Sequence, residues 1–367
     1  MRILVTLLLS ILLVAKTNSA IGQAVPSNDS VLFNDSHFHL TNYIQEGITA
    51  SRFLQIMGQK VGRSTLFGIP LQQQWSYQNS SAFAPTYYLE TDAPLYYYSF
   101  TDAYIAMQYR ALTKEQQARF DPMITGFNPA DMYAAKHIER VLRTFPGVFT
   151  GIGEFTVHKE FVSSKISGET ASLTNPALDS ILDFAGKAGL IVVLHNDIDM
   201  PMSKGKMAPL YLNEMKSLAK RHPGTTIIWA HIGLGRIVHP VGVQSSGSSE
   251  RSTTHIGVVE EMLTDPGLSN LYFDISWDEV AKYIIASPQA IEVSSRLMNK
   301  FPDRFLFGTD VVAPPDQKFY MAVYNMYAPL WKALTPETSE KIRKGNYVRL
   351  YDAARAKVRT WEKNNIR

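Results

Sequence analysis

Leu190-Ile191-Val192-Val193-Leu194-His195-Asn196-Asp197 runs from five consecutive apolar residues into an imidazole, an amide and a carboxylate. An unbroken apolar run fits a strand buried on both faces, as in a parallel sheet covered by helices, better than it fits the alternation of a half-exposed strand. The residues just before it supply the covering helix. Asn175-Pro176 offers an N-cap and a first-turn proline, and Gly189 offers a C-terminal stop. A helix followed by a buried strand that ends on ligand-type side chains is the unit whose repetition decides the fold.

Seven more short apolar runs lie on either side, at 31–36, 65–71, 120–127, 149–155, 226–231, 271–276 and 305–309. Helical patterns occupy 49–60, 101–112, 130–144, 176–188, 208–221, 256–264, 278–300 and 317–334. Strand and helix thus alternate eight times, which predicts an α/β chain folded as a (β/α)8 TIM barrel, a fold of about 250 residues before insertions. The surplus length falls in the connection 72–99 after the second strand, the loop 233–254, and a helical tail after Pro336. Twelve of the 43 residues from Phe67 to Tyr109 are aromatic, against 11% of the whole chain, so an aromatic-rich insertion is expected after the second strand. It reads either as the core of a small subdomain or as a lid over the barrel mouth carrying Trp75 and Tyr96-Tyr97-Tyr98, with Trp277 following the seventh strand. Ser245-Ser246-Gly247-Ser248-Ser249 lies inside one connection and reads as a mobile loop. A two-domain arrangement would need a mid-chain break in composition, which the sequence lacks.

The 367 residues include nine histidines and no cysteine. Disulfide frameworks, thiolate zinc sites and cysteine nucleophiles are therefore excluded, and any metal must be held by nitrogen and oxygen. Residues 1–24 read as a secretory signal peptide. Arg2 gives the positive start, 3–15 a mostly apolar run too short to span a bilayer, and Gly22-Gln23-Ala24 a small-x-small cleavage site. The mature domain is then 25–367, exported to the periplasm or secreted, with no stable membrane anchor. Loss of Arg2 and Lys16 lowers the formal charge from +3 to +1, which leaves no basic excess for nucleic acid.

Five strands end on side chains able to bind a metal. They carry Asp35-Ser36-His37-Phe38-His39, Gly153-Glu154, His195-Asn196-Asp197, Ala230-His231 and Gly308-Thr309-Asp310. In a barrel, the C-terminal rim is where side chains from separate strands meet. His37 and His39 lie two apart and so face one side of a strand. Taken singly, His195 and His231 read equally as buried hydrogen-bonded histidines, Glu154 as a salt-bridged rim acid and Asp310 as a helix N-cap. Together they point to a divalent metal, because buried acids and imidazoles are costly unless paired or coordinated. Lys204, Lys206 and Arg236 read as solvated loop charges which, if turned inward, would favour a substrate carboxylate or phosphate. His137, His158, His222, His239 and His255 match no strand end and read as surface or capping residues.

These residues resemble the amidohydrolase superfamily, and within it the amidohydrolase-related branch that also contains metal-dependent decarboxylases. His37-Phe38-His39, His195, Ala230-His231-Ile232-Gly233 and Gly308-Thr309-Asp310 carry the likeness, together with 271–276 and the tail 344–351. The resemblance implies a divalent ion, usually zinc, on His37, His39, His195 and Asp310, with His231 at a second ion or acting on substrate. Glu154 replaces the commonest fourth-strand lysine and is similar to the glutamate of TatD-type hydrolases, where it can bridge two ions; one ion or two stays open. Asp310 is then the candidate to take a proton from the metal's water and return it to a leaving group, and His231 the candidate to polarise the substrate. The expected activity is hydrolysis of a C–N, C–O or P–O bond in a small molecule. The alternatives are a decarboxylase on the same scaffold and a non-catalytic ligand-binding barrel.

Overall fold

Ile191–His195 is a strand with neighbours on both sides, as its apolar run requires, and none of its residues exceeds 1% exposure. The helix before it, Pro176–Ala188, starts where the Asn175 side chain accepts from Ala177 N and stops at Gly189, whose φ of 78° suits a residue without a Cβ. In this computed structural model the described residues are 30–42, 47–69, 100–159, 171–198, 211–235 and 255–366, with the backbone of 74–75 and 89–90. The expected leader 1–24, nearly all of the aromatic insertion, Lys204, Lys206, Arg236, His239 and the 245–249 patch lie outside them.

Eight strands form one sheet in chain order: β1 (Phe33–Asp35), β2 (Val61–Leu66), β3 (Phe120–Ile124), β4 (Gly151–Thr156), β5 (Ile191–His195), β6 (Ile227–Trp229), β7 (Leu271–Asp274) and β8 (Phe305–Leu306). Each pairs in parallel with the next. The ends meet just beyond the last strand. Ser36 N donates to the Phe307 carbonyl at 3.1 Å, and Phe38–His39 pairs in parallel with Val311–Val312. This is the (β/α)8 barrel. Helices between the strands cover the outside.

Several boundaries differ from expectation. β2 begins at Val61 rather than 65, because Arg63, which breaks the apolar pattern, is neutralised by Asp121 at 2.7 Å. The helix expected at 278–300 is two, Asp278–Ile284 and Pro288–Lys300, since Ser287 caps the second and Pro288 cannot continue the first. The span 317–334 is three short helices, Gln317–Tyr320, Ala322–Met326 and Ala328–Ala333.

The core has an outer and an inner part. Val192, Leu194, Ile227, Trp229 and Phe273 point out to the helices. Met123, Ile191, Val193, Ile228 and Leu306 belong to a separate inner cluster, which is completed by Tyr347, Leu350, Tyr351 and Ala354. Those four lie on one face of the C-terminal helix Asn346–Asn365, so the tail plugs the lower end of the barrel. Around the plug, buried Asp121 accepts from Tyr347 Oη at 2.8 Å, Arg63 Nη2 at 2.7 Å and Arg355 Nη2 at 2.6 Å. The opposite, C-terminal rim is left for the site.

Candidate metal centre

Local backbone devices bring each side chain to the rim. Between β4 and β5 the pairing slips from Ile152↔Val192 to Phe155↔Leu194, which makes Gly153-Glu154 a bulge that aims Glu154 into the mouth. Gly153 has φ 106°, and a Cβ there would fall on the Val193 carbonyl. At the β8 end, a Cβ on Gly308 would lie 2.6 Å from the His37 Cβ, so only glycine lets the first and last strands close here. Asp310 sits at φ 54°, held by its amide donating to the His37 carbonyl at 2.7 Å. Buried Asp35 fastens the same seam, accepting from His37 N at 3.0 Å, Thr309 N at 2.9 Å, Thr309 Oγ1 at 2.6 Å and Tyr320 Oη at 2.7 Å.

Six side chains from five strand ends converge there. His39 Nε2 lies 3.2 Å from Glu154 Oε2 and 3.1 Å from Asp310 Oδ1, and His37 Nε2 lies 3.5 and 3.4 Å from the same two oxygens. The other oxygen of Glu154 faces a second set: Oε1 is 2.5 Å from His195 Nδ1 and 3.5 Å from His231 Nε2. His37, His39, Glu154 and Asp310 therefore form one group able to hold an ion, and Glu154, His195 and His231 another, with ligand atoms within 4.8 Å of one another in each. His195 thus groups with Glu154 and His231. The Trp277 ring lies 5.2 Å from His231 at the same rim.

The far side of three imidazoles is tied outward. His37 Nδ1 donates to Asp274 Oδ2 at 2.9 Å, and His195 Nε2 to Asp197 Oδ1 at 2.9 Å. Ser276 Oγ spends its proton on Asp274 Oδ1 at 2.5 Å, so its 2.8 Å contact with His231 Nδ1 is accepted from that nitrogen. On this network the nitrogens facing the centre carry no proton in the neutral rings. His37 Nε2 and His231 Nε2 are buried without a hydrogen-bond partner. These residues fit divalent ions.

The charges agree. Burial lowers the His37 pKa, but Asp274, Glu154 and Asp310 lift it well above the usual histidine range. His39 and His195 are likewise raised against burial by the acids beside them, whereas at His231 burial wins and the pKa is lowered. Despite burial, Glu154 is held well below the ordinary carboxylate range, by Lys159 first among the charges and then His195 and His37. Asp310 is lowered too, chiefly by His37 and His231. Acids held anionic beside imidazoles whose basicity they raise form a site that a proton or a divalent cation satisfies.

The amidohydrolase family model matches residues 35–353, from the first strand into the plugging helix. The chain belongs to the amidohydrolase family. This amidohydrolase is an enzyme of that type, and among solved structures it resembles in fold an uncharacterised TIM-barrel protein from Bordetella bronchiseptica, with 15% identity and a TM-score of 0.53 over 88% of this chain and 99% of that one. Also similar are an amidohydrolase from Burkholderia multivorans with bound zinc (11% identity, TM-score 0.49, 88% and 99% covered) and dihydroorotase from Campylobacter jejuni (15%, 0.48, 87% and 83%). No curated protein matches this amidohydrolase in sequence.

Asp274 and Ser276 escaped the sequence reading as site members, and Asp35 and Asp197 stood in the strand-end motifs without a role of their own. Asp197 and Asp274 each stand at a strand end, the position that marked His195 and His231, so the signal was present. His255 was expected at the surface or a cap and is instead 2% exposed, because its Nε2 donates to the Ile232 carbonyl at 2.7 Å. His222 does cap the helix Leu212–Arg221, buried between Asp179 at 2.7 Å and Asp183 at 2.9 Å. His158 stacks on Tyr211 at 3.8 Å, and His137 lies 3.8 Å from Asp102.

Proposed function

We propose that this amidohydrolase is a metal-dependent hydrolase with two divalent ions, zinc by its donor set, cleaving a C–N, C–O or P–O bond of a small molecule. The observation that carries this reading is the set of imidazole nitrogens turned inward on Glu154 and Asp310 while their opposite nitrogens are tied to Asp274, Ser276 and Asp197. An imidazole-rich nitrogen and oxygen set favours zinc over magnesium or calcium. His37, His39, Glu154 Oε2 and Asp310 would hold one ion, and Glu154 Oε1, His195 and His231 the other. When bound, a divalent ion supplies Lewis acidity, lowering the pKa of a water from about 15.7 towards ~7 and stabilising charge on a substrate oxygen.

The side chains do the proton work. Asp310 is the most open carboxylate of the centre, 15% exposed against 7% for Glu154, and its lowered pKa keeps it anionic, the form able to take a proton. It takes the proton of the attacking water and returns it to the leaving group. His231 gives its Nδ1 proton to Ser276 and is kept neutral by burial, so its inward nitrogen acts as a ligand rather than as a donor to substrate.

Elemental analysis of the purified protein, followed by a panel of esters, lactones, amides and phosphoesters in 18O-labelled water, tests this. The expected result is two equivalents of zinc and one labelled oxygen incorporated per turnover. Carbon dioxide release without label would assign lyase chemistry instead. Export is supported by Arg2, the apolar run 3–15 and Gly22-Gln23-Ala24. Mature protein recovered outside the cytoplasm should begin at Val25, and a retained 1–24 would overturn the signal peptide.

A further inference from the structure

Three consecutive residues after β6 have left-handed backbone: His231 at φ 57°, Ile232 at φ 49° and Gly233 at φ 75°. Glycine adopts this freely, but each non-glycine residue costs roughly 1–2 kcal/mol, and a β-branched one is a rare occupant. Such a turn persists only where its surroundings over-determine it. His231 N donates to Asp274 Oδ1 at 2.8 Å, Leu234 N to the His231 carbonyl at 2.9 Å, and Ile198 N to the Gly233 carbonyl at 2.8 Å. The carbonyl of Ile232, the β-branched member, accepts from His255 Nε2 at 2.7 Å. His255 opens the helix His255–Thr264, and its ring stands edge-on to Tyr283 at 5.9 Å. Burial pushes its pKa down to about 4, so the ring is neutral and its single N–H is committed to this bond.

We propose that His255 is a positioning residue: its hydrogen bond to the Ile232 carbonyl locks the left-handed turn that aims His231 Nε2 at Glu154 and Asp310. This rests on the inward role of His231 given above. Ser276 sets the rotation of the His231 ring, but the backbone sets where the ring stands. That nitrogen lies 3.5 Å from Glu154 Oε1 and 3.9 Å from Asp310 Oδ2, so a shift of about 1 Å takes it out of the group.

The test uses metal-free protein labelled with 15N in its histidine rings, the His231 signals being those lost in His231→Gln. His255→Leu, which has no donor, is expected to move them. His255→Gln, whose amide nitrogen reaches the place of Nε2, is expected to restore them. Unmoved His231 signals in folded His255→Leu overturn the proposal, as does an equal displacement in both variants. If His255→Leu does not fold, His255→Asn, whose shorter amide misses the carbonyl, carries the same comparison against His255→Gln. Titration of these proteins with Co²⁺ alone reads the metal centre separately. Displacing His231 should weaken uptake at its group about tenfold or more and change the visible band. A wild-type protein that binds no Co²⁺ would overturn the metal centre, while the ring signals would still decide the role of His255.

Discussion

Asp274→Asn asks whether the centre is held in place from behind. Asp274 Oδ1 accepts from His231 N at 2.8 Å, Ser276 N at 3.2 Å and Ser276 Oγ at 2.5 Å, while Oδ2 accepts from His37 Nδ1 at 2.9 Å. Asparagine has the same shape and keeps an oxygen for the first three, but it puts an NH2 in place of Oδ2. His37 then faces donor against donor, or it moves its proton to Nε2 and presents N–H to the ion. A hydrogen bond to a charged group is worth about 1.5–3 kcal/mol, and each 1.4 kcal/mol is about tenfold in affinity. Zinc held by His37, His39, Glu154 and Asp310 should therefore bind about 10- to 100-fold more weakly, the usual scale for losing an outer partner of a ligand histidine. The charge works in the same direction. Burial lowers the His37 pKa, and Asp274 heads the charges that restore its basicity, so without it the imidazole is a poorer ligand. Competition for Zn²⁺ against a chromophoric chelator at pH 7.5 gives the affinity, and circular dichroism reports the fold. A well-folded variant with affinity within twofold of wild type would refute the reasoning.

Glu154→Gln should reduce bound zinc from two equivalents to one, because Glu154 faces both groups; elemental analysis that still finds two would remove its bridging role. Asp310→Asn, which keeps one ligand oxygen, should retain metal yet lower kcat by about 10²- to 10⁴-fold, the share of a lost general base; steady-state rates on whichever substrate the panel returns decide it. His255 is depressed from 6.5 to about 4, so its contribution to stability is complete above pH 6.5 and is lost as pH falls towards 4. Between pH 7.5 and 5 the metal-free wild type should lose about 2 kcal/mol more than His255→Gln in urea unfolding, and parallel pH profiles would contradict the buried neutral ring. Tyr347→Phe removes the 2.8 Å bond to Asp121 and should cost about 1.5–3 kcal/mol of stability without changing kcat.

The barrel was legible because parallel strands buried on both faces leave continuous apolar runs, such as 190–194, that no helix period disguises. The convergence of polar side chains was legible for the same reason: His195, His231 and Asp310 each interrupt a rim where nothing polar is needed for packing. What ties them was not. Asp274 and Asp197 act on imidazoles brought beside them by the curl of the sheet, and sequence distance carries no trace of a contact such as Asp274 with His37. His255 was misjudged because a lone histidine at a helix start looks like a cap, and only the path of the turn at Ile232 shows which carbonyl it reaches. The division of ligands between two groups depends on which oxygen of Glu154 faces which ring, a matter of side-chain angle that spacing cannot hold.

The helix Asn346–Asn365 has a consequence for how the barrel closes. Every strand and every side chain of the centre is translated before it, yet Tyr347, Leu350, Tyr351 and Ala354 belong to the cluster that fills the inside of the barrel. Without this helix the rim would stand over an unfilled interior, and voids in a core cost stability in proportion to their volume. Closure of the barrel therefore depends on the helix that comes after all eight strands in the chain. A chain cut short before this helix, carrying the entire centre, should be recovered as an open, aggregation-prone sheet rather than as a smaller enzyme.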